Sequence, residues 1–311
     1  MALQVYNHWR DVGPEARGAA VAFGNFDGVH LGHQEVIRQA AEAAYELGVP
    51  LGIVTLEPNP QRWFHPDDPP SRLMNPRQLA HALAELAVER LYVLPFGQHM
   101  AGLTDRQFAE EILAQELGVR HVAVGFDVTF GKNRTGSPEA MRRYGETFGF
   151  SVSVAPAVTA TDGTEIHSSD IRKAIREGHP EKAARLLGRP FAIEGLVVKG
   201  QQLGRKLGIP TANVSLGEYV TPQLAVYATR TRLKDGRHLP GVCNIGMNPT
   251  TGLVEPRLEV WLFDFDEDIY GEVIETELIA FIRPEEKFDS IEAMLKVIAS
   301  DAAKARRILG A

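Results

Sequence analysis

The chain has 311 residues, enough for two domains at roughly 150 residues each, and its 44% hydrophobic and 23% charged residues are ordinary for a globular protein, which argues against disorder, collagen-like repeats and coiled coil. With 33 Lys and Arg against 40 Asp and Glu, the net charge of −7 lacks the bulk positive field of a non-specific nucleic-acid binder, while a local basic cleft for a phosphorylated small molecule stays open. The one cysteine, Cys243, excludes an intrachain disulfide and points to a reducing compartment. Met1–Arg10 has no basic segment followed by an apolar one, and no apolar run reaches the roughly 18 residues of a membrane span, so a cytoplasmic protein is expected.

From about residue 18 to 155, short apolar runs alternate with Ala/Glu/Leu-rich stretches. Strands are expected at 20–23, 51–56, 91–95, 121–125 and 151–154, with helices at 34–47, 76–89, 105–117 and 137–147. Gly48, Gly118 and Gly149 stand where helix C-caps need a left-handed residue. This alternation predicts an α/β domain with a parallel sheet, whose ligands bind beyond the carboxyl ends of the strands. Two further helices are expected at 169–177 and 181–187, then Gly188-Arg189-Pro190 interrupts the chain. Beyond it, turn-separated runs near 191–198, 211–214, 225–233, 241–245, 257–263 and 272–282 predict a small antiparallel barrel or sandwich. Apolar residues at Ile291, Met294, Leu295 and Ile298 add a C-terminal helix over 290–309. The domains are therefore placed at 1–186 and 187–311.

The first strand runs through Gly24-Asn25-Phe26-Asp27-Gly28-Val29-His30-Leu31-Gly32-His33 into a helix. Glycines let backbone approach a ligand, and a helix start offers N–H groups to phosphate. His30 and His33 can donate to an oxyanion as charge develops. The string is not G-x-G-x-x-G, and zinc lacks a third ligand. A lone H-x-x-H also fits a Gly-rich turn with two solvated histidines. The full string resembles the nucleotidyltransferase signature of bacterial bifunctional riboflavin kinase/FAD synthetases.

Further motifs follow in that family's order. Thr55-Leu56-Glu57-Pro58-Asn59-Pro60 resembles its loop after the second strand, with Leu56 and Asn59 departing from it. Gly125-Phe126-Asp127-Val128-Thr129-Phe130-Gly131 resembles a turn at the flavin end, with Val128 for Phe. Gly131-Lys132 does not make a P-loop, because Gly125 is one residue too far and Asn133 replaces Ser/Thr. His167-Ser168-Ser169-Asp170-Ile171-Arg172 resembles its Ser-Ser-Thr-x-Ile-Arg stretch, with His167 for the first Ser. Read alone, that stretch also fits an ordinary Ser N-cap beside an exposed Arg.

The second half carries three more stretches. Gly200-x-x-x-Gly204-Arg205-Lys206-Leu207-Gly208-Ile209-Pro210-Thr211-Ala212-Asn213 resembles the riboflavin kinase nucleotide loop. Gly241 to Thr250 contains Asn244, and Cys243 reads there as a buried structural thiol. Strand alternation puts Glu259, Trp261 and Phe263 on one face, and a strand Glu is ordinarily salt-bridged. The segment 283–288, starting at Arg283, resembles the family's C-terminal closing segment.

The resemblance spans roughly residues 18–307. It implies that the C-terminal domain phosphorylates riboflavin to FMN with ATP, and that the N-terminal domain joins FMN to AMP from a second ATP, giving FAD and pyrophosphate. It implies Glu259 as general base, Thr211 and Asn213 as Mg²⁺ ligands, and His30 and His33 as catalytic groups. Gly24, Phe26, Asp27, Gly28, Ser168, Ser169, Arg172, Gly200, Gly204, Arg205, Gly208 and Thr211 would contact ATP phosphates. Pro58, Asn59, Asp127, Asn244 and Arg283 would contact flavin. Two rivals remain: a single-activity nucleotidyltransferase whose barrel only binds ligand, and a non-catalytic flavin- or RNA-binding protein. Oligomeric state is not read from the sequence, and no nucleic-acid or membrane partner is expected.

Overall fold

The computed structural model describes residues 2–160, 163–200, 207–247 and 256–311. Its contacts separate into two compact units, one of Met1–Asp68 with Pro76–His167, the other of Pro69–Asn75 with Ser168–Ala311.

In the first unit, β1 (Gln4–Tyr6), β2 (Ala20–Phe23), β3 (Leu51–Glu57), β4 (Arg90–Pro95), β5 (His121–Gly125) and β6 (Ser151–Ala155) form a parallel sheet in the order β1-β4-β3-β2-β5-β6. Every residue of β2 is buried, as expected of a strand covered on both faces. Helix α1 (Leu31–Leu47) packs on β2, β3, β5 and β6 through Val36, Ile37, Ala40 and Ala44 and ends on Gly48 at φ 63°. The opposite face is covered by Phe108, Ile112 and Leu113, which pack with Val21, Val54 and Leu94. Strand order reverses between β2 and β5, so loops leaving these neighbours open onto the crevice where ligands bind in such sheets.

The expected helix over 76–89 stops at Glu85, and Ala87 turns the chain at φ 57°. The expected helix over 105–117 has one α-helical turn, Asp105–Gln107, and continues as a π-helix over Phe108–Glu116. Two short helices, Pro60–Phe64 and Gln98–Gly102, and the edge strand β1 lack a periodicity long enough to announce them.

In the second unit, β7 (Phe191–Leu196), β8 (Ala212–Ser215), β9 (Ala225–Arg232), β10 (His238–Met247), β11 (Pro256–Leu262) and β12 (Val273–Pro284) pair antiparallel in the order β7-β12-β9-β10-β11-β8. Val198 donates its N–H to the Asn213 carbonyl at 2.9 Å, an antiparallel bridge that brings the two edges together into a nearly closed barrel. Ile193, Val214, Ile245, Leu258 and Val260 are among its fully buried residues. The C-terminal helix Ile291–Leu309 covers β9, β10 and β12, burying Ala302, Ala305 and Leu309 on Val226, Ala228 and Ile282. Helices Ser168–Arg176 and Pro180–Leu187 belong to this unit.

The strap Pro69–Asn75 also packs here. Arg72 pairs in parallel with Tyr219, Leu73 is buried, and the Asn75 amide donates to Glu194 Oε1 at 3.1 Å. Among the described residues no helix is long and apolar enough to cross a membrane.

Candidate active sites

In the α/β unit, β2 ends at Phe23 and the chain turns through Gly24–Val29 into α1. Gly28 sits at φ 87°, open to glycine at no steric cost, and Val29 follows at φ 40°. His30 caps α1: its Nδ1 accepts the His33 N–H at 3.2 Å, which sets the ring over the helix start. The His30 and His33 rings stack with centroids 3.6 Å apart, and Phe26 meets His33 edge-on at 5.3 Å. Of the residues expected here, His30 and Phe26 are buried and His33 is partly open. The capping bond commits one nitrogen of His30, whereas His33 rides on the first turn of the helix.

Beyond the strand ends lies a pocket of about 870 Å³ walled by Phe23, Phe64, Phe96, Phe108 and Phe130. Asn25, Asn59, Lys132 and Arg134 add polar groups. Asn59 lines this pocket, and its Oδ1 accepts the Gln61 N–H at 2.9 Å and caps the helix Pro60–Phe64. Pro58 precedes it without lining the pocket. Asp127 is exposed and faces His167, with Oδ2 3.9 Å from Nδ1, while Nε2 of that ring lies 3.2 Å from Glu165. Leu56, which lines the pocket, and Val128 pack partly buried against the core of this unit. Sequence reading missed Phe64, Phe96, Lys132 and Arg134, although aromatic residues close to a Pro-x-Pro loop were a usable signal.

Ser168 and Ser169 open the helix Ser168–Arg176 in the second unit, where Arg172 Nε donates to the Ser71 carbonyl of the strap at 2.7 Å.

Strand register organises the barrel. Asn244 is paired with Glu259, Glu259 with Asn213, and Asn213 with Val198. Paired residues project on one face, so three expected side chains from β10, β11 and β8 stand side by side. On the other side, Asn244 is paired with Val226, and Val226 with Arg283. Asn213 is buried, and a Cβ on Gly200 would meet its amide atoms at 2.8 Å, so only glycine admits the backbone there.

Arg283 Nε binds the buried Asp301 at 2.9 Å, and its guanidinium lies 5.6 Å from the Phe288 ring centre. Burial raises the Asp301 carboxyl above the usual range, against the opposing pull of Arg283. Thr211 lines a separate cleft of about 270 Å³ with Pro210, Val260, Asp268 and Tyr270, and Lys199 lies 5.7 Å from the Tyr270 ring centre. Gly208 turns the chain at φ 78°. Gly204 and Arg205 lie outside the described residues. Cys243 is buried in the barrel wall, and burial pushes its thiol well above the usual range, as expected of a structural cysteine.

Residues 13–170 match the family model described as FAD synthetase, and residues 187–309 match that described as riboflavin kinase. The curated protein of Pseudomonas fluorescens named bifunctional riboflavin kinase/FMN adenylyltransferase is 40% identical over 307 residues, covering 98% of each chain. The chain belongs to this bifunctional family. The Escherichia coli K12 member is 36% identical, covering 94% of this chain and 93% of its own. A solved structure described as a macrolide-efflux protein from Streptococcus pneumoniae shares 31% identity with a TM-score of 0.87, covering 98% of this chain and 99% of its own. The enzyme is thus a two-activity transferase, with its FAD synthetase part preceding its kinase part.

Proposed function

We propose that this family's two reactions run on the residues gathered above, the adenylylation in the α/β unit and the phosphorylation in the barrel unit, whose compact body, the strap aside, begins at Ser168 rather than at the expected 187. In the kinase reaction, Glu259 takes the proton of the riboflavin ribityl hydroxyl as its oxygen bonds to the γ-phosphorus of ATP, and ADP leaves. The observation that carries this reading is the row Asn244–Glu259–Asn213, which sets a carboxylate between two amides on one face. Asn244 orients the flavin hydroxyls, and the Gly200 backbone covers Asn213. The buried Asn213 amide offers a hard oxygen that suits Mg²⁺, which would neutralise phosphate charge when bound, and Thr211, two residues earlier, would add its hydroxyl from the neighbouring cleft. Asn213 is the deeper of the two and fixes the site.

In the adenylylation, a phosphate oxygen of FMN bonds to the α-phosphorus of ATP while the bond to the β-phosphate oxygen breaks and pyrophosphate leaves. The nucleophile is already anionic, so no base is needed. His33, on the first turn of α1, donates to the charge that builds on the phosphates, and His30 fixes the helix entry by capping it. Gly24, Asp27 and Gly28 shape the loop under the nucleotide. A cytoplasmic setting fits both the single thiol and the ATP requirement.

Incubating the purified chain with riboflavin, ATP and Mg²⁺ and separating the products tests the reading. FMN is expected first and FAD after it. Consumption of ATP without either flavin product overturns it, and FAD from supplied FMN without any kinase activity leaves the single-activity rival in its place.

A further inference from the structure

The 870 Å³ pocket has two chemically different ends. Phe64 and Phe96 come from the loops after β3 and β4. Asp68, the carboxylate among the lining residues, also comes from the β3 side. Lys132 and Arg134 come from the turn after β5. In the sheet order β4-β3-β2-β5, the β2 loop with Asn25 lies between these two sets. The cations therefore stand on the side of the switch point, where the nucleotide loop Gly24–His33 begins.

The cationic turn is built rather than incidental. Asn133 and Arg134 occupy consecutive left-handed conformations, at φ 59° and 56°, which non-glycine residues adopt only when surrounding contacts hold them there. The Lys132 N–H donates to the Leu103 carbonyl at 2.7 Å, and the Thr135 hydroxyl donates to Asp105 Oδ1 at 3.0 Å. Tyr144 donates to the other Asp105 oxygen at 2.7 Å. Gly131 packs so closely that a Cβ would lie 2.3 Å from the Asp105 nitrogen. Arg134 Nε donates to Thr129 Oγ1 at 3.0 Å, which fixes the direction of its guanidinium along the pocket wall.

We propose that Lys132 and Arg134 bind the phosphate of FMN and so make the adenylylation site select phosphorylated flavin over riboflavin. The inference rests on the adenylyltransferase reading of this unit. Riboflavin and FMN share the isoalloxazine ring, so aromatic walls cannot tell them apart. They differ by a phosphomonoester of about −1.5 to −2 charge, which two cations on one braced turn can distinguish. With the ring at the Phe64–Phe96 end, the phosphate reaches the switch-point side, where its oxygen must meet the α-phosphorus of ATP.

The test uses the full chain with Lys132→Ala, Arg134→Ala and both together, measuring KM for FMN in FAD formation and the inhibition constant of lumiflavin. Lumiflavin carries the ring without a ribityl chain, so the kinase cannot consume it. Each substitution is expected to raise KM for FMN about tenfold or more, the scale of a lost hydrogen bond to a charged group, with lumiflavin inhibition unchanged. Lys132→Arg is expected to restore the affinity. Riboflavin phosphorylation by the same samples reports that the chain is folded. An unchanged KM for FMN overturns the proposal, and so does a parallel weakening of lumiflavin, which would make the two cations ring ligands. Absence of FAD formation from FMN by the wild-type chain overturns instead the reading on which the proposal rests.

Discussion

The α/β unit draws its candidate residues from loops and a helix start, whereas the barrel draws Asn213, Glu259 and Asn244 from strands in one register row. The difference lies in what fixes each geometry. His30 and His33 are placed by local turn chemistry within ten residues of the strand end, through Gly28 at φ 87° and a capping bond. Glu259 is placed by the pairing of β11 with two other strands, so its position depends on residues remote in sequence. Loop-borne sites tolerate change in the scaffold beneath them, while a register-borne site fails with its ladder.

The sharpest way to break this comparison is a crossed pair of substitutions. Glu259→Gln keeps size and removes the basic carboxylate, so FMN formation should fall about 10²–10⁴-fold while adenylylation of supplied FMN is retained. His33→Ala should do the reverse, lowering FAD formation from FMN about 10²–10³-fold with kinase activity retained. Both rates measured on both variants give the check. Equal losses in either variant would dissolve the two-site assignment, and a Glu259→Gln chain with a lowered melting temperature but normal FMN formation would make Glu259 a structural ion-pair residue.

A scaffold change sharpens the contrast at smaller amplitude. A Cβ on Gly241 would lie 2.5 Å from the backbone carbonyl of Trp261, in the β10–β11 ladder that carries Asn244 and Glu259. That carbonyl cannot move without disturbing the register. Gly241→Ala should cost about 1–3 kcal/mol by overpacking, read as a fall in melting temperature of at least about 2 °C, and it should reduce riboflavin phosphorylation more than FMN adenylylation. Equal effects on both activities would remove register as the distinction.

The smallest effect is a pH slope in the α/β unit. His121 is buried, with its ring nitrogens 2.8 and 3.0 Å from the Ser151 and Ser153 hydroxyls. Burial holds its pKa below the usual 6.5. The unfolded chain therefore binds the proton more readily than the folded one, and stability is full above the unfolded value and is lost as pH falls below it toward the folded value. Melting temperatures across that range should decline for the wild-type chain and decline less for His121→Gln. Identical slopes would remove His121 as the cause.

The parts of each site that were legible in the sequence are those fixed locally. Gly24–His33 announces a strand, a tight turn and a helix start within one string, and the structure contains all three. Alternation along 257–263 was enough to set Glu259 on a face with Trp261. What stayed illegible depends on partners. Nothing in residues 283–288 names Asp301 as the group that binds Arg283, because the pair closes only when the C-terminal helix docks. The row through Arg283 also depends on irregularities in the β9–β12 pairing near Leu278 and Phe281, which shift register without a sequence mark. The π-helix over Phe108–Glu116 has composition no different from an α-helix.

The strap Pro69–Asn75 bears on how such a molecule can be inherited. Its neighbours in sequence on both sides fold with the α/β unit, yet its own contacts are with the barrel unit. The barrel unit is therefore discontinuous along the gene. Recombination that shuffled the two units as contiguous blocks would leave Glu194 without the Asn75 amide and Tyr219 without its Arg72 backbone partner. Such an event would have to be followed by compensating change at those positions before the barrel unit regained the same contacts.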